Sequence, residues 1–395
     1  MHPPELCATL KEQKTIGEVI GIMLKTVPIS DEKNIAVHGR TTSCREPLTL
    51  FWSASSVELN FRGTELWLEC ETDYSLYEQW LSVLLNGAHV ARIPLPKGRA
   101  WIPLLRGLNP DKTQHIDLVR DVQAMPTDPD CSLKFHALRH DGELLPVPQK
   151  KLRLEVIGDS LTSSEGAVGA KEEEDWIATF FCAARGYAFR TAQLLDADLR
   201  VLSQSGWGVL SSWDNDPACA LPKYYDQVCG VLKGEKNAAL GALAPNDFAA
   251  WQPDVVVVAL GHNDSGAFNN PAHIDPATGE TFKQRTDPDG KRNAQDVQRL
   301  EEAVVAFLHK LRARNPQAHI LWAHGLLGDP LREELTHAIQ AYCAATGDLK
   351  CEYFALPYGP EDGMGARNHP GQPMHEAAAQ ALAQKIRSLA QALHF

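Results

Sequence analysis

The sequence predicts an α/β domain with a parallel sheet and helices on both faces, preceded by a β-sandwich domain of jelly-roll type. Three observations lead to this fold class. The 395 residues are more than one hydrophobic core usually organises, so two domains are expected. Short alternating apolar runs occupy the chain before residues 145–148, and strand-like runs alternate with helix-like runs after them. We therefore place the sandwich at residues 1–148 and the α/β domain at residues 149–395.

The composition indicates an acidic globular protein without a nucleic-acid or membrane partner. Lys plus Arg number 38 against 50 Asp plus Glu, a net charge of −12, which disfavours binding to phosphate backbones or anionic lipid. No apolar run approaches the ~18 residues of a membrane span. The opening, Met1 to Cys7, lacks the basic and apolar regions of a secretory signal, and the nine cysteines are scattered. We therefore expect reduced thiols and a cytoplasmic location.

The sandwich is predicted from short runs of period-two apolar residues separated by turn residues. Asn86-Gly87 between two such runs is a strong hairpin signal. Many short strands at this spacing are typical of a jelly roll. The runs are 57–61, 65–69, 80–85, 88–93, 100–104, 115–119 and 133–138.

The second domain is predicted from alternating strand-like and helix-like runs. The strands are 152–157, 199–202, 254–260, 319–323 and 351–356, and the helices are 175–195, 294–314, 332–345 and 375–393. This alternation is typical of a parallel sheet covered on both faces. Ligands bind beyond the carboxyl ends of the strands in such sheets, so residues directly after strands are the candidates for a functional site.

Two segments that follow strands can supply a nucleophile and an anion-binding group. Ser160, in Gly158-Asp159-Ser160-Leu161, follows the first strand on a sharp turn, which we expect to lead into a helix. Asp and Ser are also common helix caps, so the motif alone has a structural alternative. Gly206, just past the second strand, allows its backbone N–H to approach a ligand, although a plain turn is an equal alternative.

Two later segments complete the set. Asn263, in Gly261-His262-Asn263-Asp264, follows the most apolar strand and can direct its amide toward the same point, or serve as a turn residue. His369 precedes Pro370, which suits the first position of the last helix, so the histidine lies on the entering loop. A lone loop histidine is more often a surface residue. Each of the four segments is weak evidence alone. Together they are stronger evidence for a functional site, because each follows its strand in this order.

The order Gly-Asp-Ser-Leu, glycine, Gly-x-Asn-Asp and late His-Pro resembles the four blocks of the SGNH (GDSL) hydrolases. The preceding sandwich, with Phe61-Arg-Gly-Thr64 and the stretch 365–370, resembles the family 2 carbohydrate esterases. The resemblance implies a flavodoxin-like three-layer hydrolase domain after the jelly roll, and it implies no cofactor. It further implies a serine esterase that removes O-acetyl groups from xylan- or mannan-type oligosaccharides or polysaccharides through an acyl-enzyme intermediate.

The resemblance also assigns roles residue by residue. Ser160 is the nucleophile and His369 its general base, and the N–H groups of Ser160 and Gly206 with the amide of Asn263 form the oxyanion hole. Asp159 is expected to brace the turn.

The chain departs from the family where an acid is expected before the histidine. Ala366 and Arg367 stand there, and neither side chain accepts a hydrogen bond from imidazole. We therefore expect a Ser–His dyad in which a backbone carbonyl accepts from His369 Nδ1. A displaced acid, Asp362 or Glu361, remains the alternative.

The substrate-binding residues are predicted from aromatic side chains near Gly206. Trp207 and Trp213 offer faces for sugar rings, and both can equally pack in the core. The polar stretch 265–292 is either a lid or a surface insertion. No His/Cys spacing supports a metal site.

Other functions stay open at this point. Another SGNH specialisation, an acyl-thioesterase or a lysophospholipase, is one alternative, and a catalytically inactive carbohydrate-binding protein is another. The sequence leaves the oligomeric state open.

Overall fold

The computed structural model describes residues 23–360 and 362–393. The opening segment from Met1 to Cys7 and the candidate acid Glu361 lie outside the described residues. The strands are β1 Lys25–Pro28, β2 Ile35–His38, β3 Leu48–Thr49, β4 Ser56–Arg62, β5 Glu65–Asp73, β6 Trp80–Leu85, β7 Ala88–Pro94, β8 Gly98–Arg106, β9 Gln114–Arg120, β10 Ser132–His140, β11 Glu143–Leu145, β12 Leu152–Gly158, β13 Ala197–Ser203, β14 Val255–Ala259, β15 His273–Ile274, β16 Thr281–Phe282, β17 His319–Gly325 and β18 Cys351–Leu356. The α-helices are α1 Tyr187–Leu195, α2 Glu235–Ala239, α3 His262–Ala267, α4 Ala294–Arg314, α5 Arg332–Thr346 and α6 Gln372–Leu393.

The N-terminal part consists of two antiparallel sheets that share one hydrophobic core. One sheet has the order β1-β10-β5-β8, with β3 on β10, and the other has β11-β4-β9-β6-β7, with β2 on β4. Leu66 and Leu68 of the first sheet and Val57 and Leu59 of the second lie in the same buried cluster. The expected alternation is present along β5, where every second residue is buried. The predicted strands occur, and the jelly-roll connectivity stays a prediction.

The C-terminal part is built on a five-stranded parallel sheet with the order β13-β12-β14-β17-β18. Numbered along the domain this is 2-1-3-4-5, the flavodoxin-like order. Alternate valines of β14 enter opposite layers: Val256 and Val258 pack with α4 and α5, and Val255 and Val257 pack with α1 and α6. The sheet is therefore the middle of three layers, as predicted, and its strand ends lie together on one edge.

One predicted element is shorter than expected. The run 175–195 forms two 3₁₀ turns, Ala178–Phe180 and Ala183–Arg185, before α1 begins at Tyr187. Gly186 interrupts the helix-like pattern and adopts an extended conformation at the N-cap position of α1. The local pattern is helical, but the helix begins only after this glycine.

The two parts of the chain are joined by buried polar and aromatic contacts. Trp52 is fully buried, and its indole N–H donates to the Val228 carbonyl at 2.7 Å. His38 of β2 bridges Glu58 of β4 and Asp198 of β13, at 2.9 and 2.7 Å. Burial by itself lowers the pKa of His38, but its hydrogen bonds to Asp198 and Glu58 outweigh this and raise the pKa to about 9. The sandwich is therefore integrated with the α/β layer rather than loosely linked to it.

Two other sequence-based expectations concern the whole chain. Among the residues that the structure describes, no helix combines the length and apolar character that crossing a bilayer requires. The eight cysteines within the described ranges are free. The cytoplasmic location itself remains a prediction.

Candidate active site

Ser160 lies two residues beyond the end of β12, on the strand edge where a ligand was expected. The Asp159 carboxylate braces this turn, as predicted, by accepting from the Leu161 N–H at 3.1 Å. Asp159 is fully buried, and burial raises the pKa of its carboxyl to about 7. The chain then continues in successive turns and not in a helix. The expected helix N-terminus at Ser160 is therefore wrong.

His369 meets the serine from a loop that precedes α6. Its Nε2 lies 2.9 Å from Ser160 Oγ, and its Nδ1 lies 2.8 Å from the carbonyl oxygen of Arg367. Because a carbonyl can only accept, Nδ1 carries the proton and Nε2 is left to accept from the serine hydroxyl. The backbone carbonyl expected in place of an acid is confirmed.

The serine and histidine loops approach closely at a glycine. Gly166 has a φ of +72°, and a Cβ there would lie 2.4 Å from the carbonyl oxygen of Ala366 and 2.6 Å from the Cβ of His369. Only a residue without a side chain fits both the backbone conformation and this space. The close packing brings the two loops together.

Asp362, one of the two displaced acids considered for a triad, does not contact His369. Among the described residues, Asp362 makes neither a hydrogen bond nor an ion pair with His369, and Glu361 lies outside them. A different carboxylate does face the site. Glu165, five residues after the serine, lines the same cleft, pairs with Arg367 Nε at 2.9 Å and has its Oε2 4.0 Å from His369 Nε2. Sequence reasoning missed it because no motif includes it.

The three groups proposed for an oxyanion hole line one cleft of about 540 Å³ with the serine and histidine. Gly206 adopts a φ of +81°, and within the described ranges neither its N–H nor that of Ser160 has a hydrogen-bond acceptor. Asn263 Nδ2 donates to the Trp207 carbonyl at 3.0 Å and to Asp159 Oδ2 at 3.3 Å, so both of its amide hydrogens have acceptors in this structure. The structure therefore brings the predicted residues together, with the Asn263 amide held at the cleft wall.

The loop carrying Gly206 is supported from the sandwich. Gln123 is fully buried, and its Oε1 accepts from the Ser205 N–H at 2.8 Å and from the Ser205 hydroxyl at 3.0 Å. Sequence reasoning missed this contact because the two residues are far apart in the chain. The N-terminal part therefore positions a wall of the cleft.

The two tryptophans predicted for substrate binding have different surroundings. Trp213 is 51% exposed and lines the cleft beside Gly206, as expected of a residue that contacts a ligand. Trp207 is 7% exposed, and its ring packs 5.2 Å from that of Tyr224 in the core. The substrate-binding prediction for Trp207 is therefore wrong, because burial of a large apolar ring outweighs its nearness in sequence to the site.

Besides Trp213, a second tryptophan, Trp176, lines the cleft and was not predicted. Trp176 packs edge-on against Tyr77 of the sandwich at 4.9 Å and against Phe181 at 5.7 Å. The sequence around Trp176, an isolated tryptophan after an acidic run, does not indicate a substrate-binding residue. Its position in the cleft depends on Tyr77, which lies in the other part of the chain.

The polar stretch 265–292 lies outside the lining of the cleft in this structure. It includes the short β15–β16 hairpin, and the Gln284 N–H donates to Asn215 Oδ1 at 2.8 Å. None of its residues is among those that line the cleft. The stretch is an ordered insertion beside the site.

The fold and the serine–histidine pair define a hydrolase of the α/β class whose site is assembled from four loops at one sheet edge. Residues 156–395 match the model of the GDSL-like Lipase/Acylhydrolase family. Because this match covers more than half of the chain, the protein belongs to that family, and the predicted resemblance is confirmed.

The comparisons also identify similar proteins. An acetyl xylan esterase from the rumen bacterium Butyrivibrio proteoclasticus is 40% identical, with a TM-score of 0.91 over 93% of this chain and 99% of that chain. A family two carbohydrate esterase from Clostridium thermocellum, solved with cellohexaose, is 24% identical and shares the fold, with a TM-score of 0.74 over 90% and 99% of the chains. The cellulase/esterase CelE of Acetivibrio thermocellus is 25% identical over 347 residues, which are 85% of this chain and 37% of CelE. This chain therefore spans well under half of the length of CelE.

Proposed function

We propose that the protein is a serine esterase that removes O-acetyl groups from xylan- or mannan-type oligosaccharides or polysaccharides. The observation that carries this proposal is the 2.9 Å contact between Ser160 Oγ and His369 Nε2 in a cleft that also contains Gly206 and Asn263. The likeness to the Butyrivibrio proteoclasticus acetyl xylan esterase supports the choice of substrate class.

The proposed reaction proceeds through an acyl-enzyme. His369 Nε2 accepts the hydroxyl proton as Ser160 Oγ attacks the acetyl carbonyl. The negative charge on the former carbonyl oxygen is stabilised by the N–H groups of Ser160 and Gly206. The Asn263 amide joins them when it exchanges its longer bond to Asp159 for one to the oxyanion. The imidazolium then gives its proton to the departing sugar oxygen. Water, deprotonated by the same nitrogen, releases acetate and restores the serine.

The lining of the cleft supports a sugar in preference to a long acyl chain. Trp213 and Trp176 present aromatic surface, which suits the apolar faces of sugar rings. Glu165 and Arg367 place charge on the same lining, which disfavours a hydrocarbon tail. The alternatives, an acyl-thioesterase or a lysophospholipase, call for an apolar channel. The dyad geometry argues against the third alternative, an inactive carbohydrate-binding protein.

Three expectations about the whole chain remain part of the proposal. We propose that the N-terminal sandwich has jelly-roll connectivity with its boundary at residues 148–149, and that the protein is cytoplasmic. Expression of residues 149–395 alone tests the boundary. We expect this fragment to fold but to be much less stable than the whole chain, because the contacts with the sandwich are lost. A fragment that does not fold would contradict the boundary. Fractionation of the native cells tests the location, and recovery in the medium would contradict it.

The function is tested by measuring acetate release from acetylated xylo-oligosaccharides, with an acyl-CoA and a lysophospholipid as competing substrates. We expect release of acetate from the oligosaccharide, and a loss on the order of 10⁶ in rate for Ser160→Ala. Ser388→Ala, which removes an exposed hydroxyl on α6, is the matched control and should keep full activity. Substantial acetate release by Ser160→Ala, or none by the unmodified protein, contradicts the proposal.

A further inference from the structure

We infer that Glu165 takes over the part of the missing triad acid, as a positioning residue that acts through Arg367 and through its charge. This inference rests on the proposed function, since it concerns the same serine–histidine pair. The family pattern puts an acid before the histidine, whereas here the carboxylate comes from the loop after the serine.

The placement of Glu165 is set by the nucleophile turn. Its backbone N–H donates to the Ser160 carbonyl at 3.0 Å, so the residue is tied directly to the turn. Its side chain is 2% exposed, and its two oxygens face different partners. Oε1 accepts from Arg367 Nε at 2.9 Å, and Oε2 lies 4.0 Å from His369 Nε2. A buried carboxylate at this distance interacts with an imidazolium with little screening by solvent.

Arg367 connects this carboxylate to the carbonyl that orients the histidine. Arg367 has a φ of +58°, a left-handed conformation that is costly for a residue with a Cβ. Its guanidinium is held on two sides, because Nε donates to Glu165 and Nη1 donates to the Glu174 carbonyl at 2.8 Å. These contacts keep the strained residue in place, and its carbonyl oxygen therefore stays 2.8 Å from His369 Nδ1.

Of the described titratable groups near the His369 imidazole, Glu165 is the one that supplies a negative charge. Within the described ranges it is the one carboxylate with an oxygen within 4.0 Å of a His369 ring nitrogen. His375 of α6 also faces this histidine, but burial lowers the pKa of His375 to about 3, so it is uncharged at neutral pH. Asp159 lies behind the serine, where burial raises its pKa to about 7. A neutral carbonyl stabilises an imidazolium less than a carboxylate does, and Glu165 supplies that charge when the proton moves to His369.

The experiment compares Glu165→Gln with the unmodified enzyme in acetate release across pH. Glutamine keeps the shape and can still accept from Arg367, but it removes the charge. We expect kcat to fall roughly tenfold to a hundredfold with KM little changed, and the acidic limb of the kcat/KM profile to move to lower pH, because the carboxylate charge that favours the imidazolium is gone. Asp348→Asn is the matched control, since it removes a largely buried carboxylate paired with Arg312 away from the cleft. This control should leave the limb in place.

A second variant keeps the inference testable if Glu165→Gln does not fold. Arg367→Met removes the cation and leaves the Glu165 charge unpaired, so the acidic limb should move to higher pH while kcat falls. Opposite shifts in the two variants support the inference, and so does the upward shift of Arg367→Met alone if Glu165→Gln is unfolded. An unchanged limb overturns it, even where kcat falls, because a packing role lowers kcat without moving the limb. Failure of the proposed function is distinct, since the unmodified protein then releases no acetate.

Discussion

Replacing Gln123 with methionine tests whether the sandwich controls catalysis in the other part of the chain. Gln123 Oε1 is the acceptor for both the N–H and the hydroxyl of Ser205, the residue before Gly206. Methionine has a similar volume and fills the same fully buried position, but it accepts only weakly. The substitution therefore removes two hydrogen bonds and leaves the packing nearly intact.

The size of the effect follows from the group that loses its partner. Leaving a fully buried N–H without an acceptor costs about 1–3 kcal/mol. Ser205 is only partly buried, so this range is an upper bound for its N–H. The Ser205 N–H can recover part of this only if the loop moves, and the loop carries the N–H of Gly206. If the whole amount raises the barrier to the reaction, it corresponds to roughly a 5- to 150-fold lower kcat. We expect a reduction of about tenfold or more in kcat, with KM unchanged because the aromatic cleft residues stay in place.

The assay is steady-state acetate release together with chemical denaturation of the same preparations. Asn315→Leu is the matched control, because Asn315 is a buried amide that donates to the Tyr225 hydroxyl away from the cleft. Both variants should lose stability, and only Gln123→Met should lose kcat. Equal kcat values for Gln123→Met and Asn315→Leu would refute the reasoning that the sandwich positions Gly206.

Three further predictions concern other groups. Asn263→Ala should lower kcat by roughly 10²–10³ at nearly constant KM in the same assay, because its amide meets charge that exists only in the transition state, and an effect confined to KM would contradict this. Trp213→Ala should raise KM for an oligosaccharide with little loss of stability, because this side chain is exposed in the cleft. Trp207→Ala should lower the free energy of unfolding by about 3–5 kcal/mol in chemical denaturation, because its ring is buried. The reverse pattern would show that the two roles are misassigned. His38→Gln should destabilise the protein most below pH 6.5 and progressively less as the pH rises through about 9, since the pKa of His38 is raised on folding. Melting curves of the variant and the unmodified protein at pH 6 and pH 10 check this, and a destabilisation that grows with pH would contradict it.

The local sequence pattern was sufficient to predict the main helices and strands of the C-terminal part. α4 occurs over Ala294–Arg314 as predicted, because its apolar residues recur at helical spacing. β18 occurs over Cys351–Leu356 as predicted, because a short apolar run rich in β-forming residues is typical of a buried parallel strand. The exception before α1 has a local cause as well, since Gly186 delays the helix. Short or edge strands such as β1 and β3 were not predicted, because two to four residues carry too little periodicity.

The sequence by itself determined that Ser160, Gly206, Asn263 and His369 meet at the site. In a parallel sheet the strand ends share one edge, so a serine, a glycine, an asparagine and a histidine that each follow a strand or enter the last helix converge there. It also indicated the missing acid, because Ala366 and Arg367 are visible without coordinates.

Only the tertiary structure decided how these residues are held. The Arg367 carbonyl faces His369 because Glu165 pairs with the guanidinium across two loops, and Gly206 is supported by Gln123 from the other part of the chain. Trp207 turned inward although it adjoins the site in sequence. Each of these outcomes depends on contacts with residues from other parts of the chain. Packing selects such contacts among many of similar chemistry. Periodicity and motif order carry information only about residues that are close in sequence.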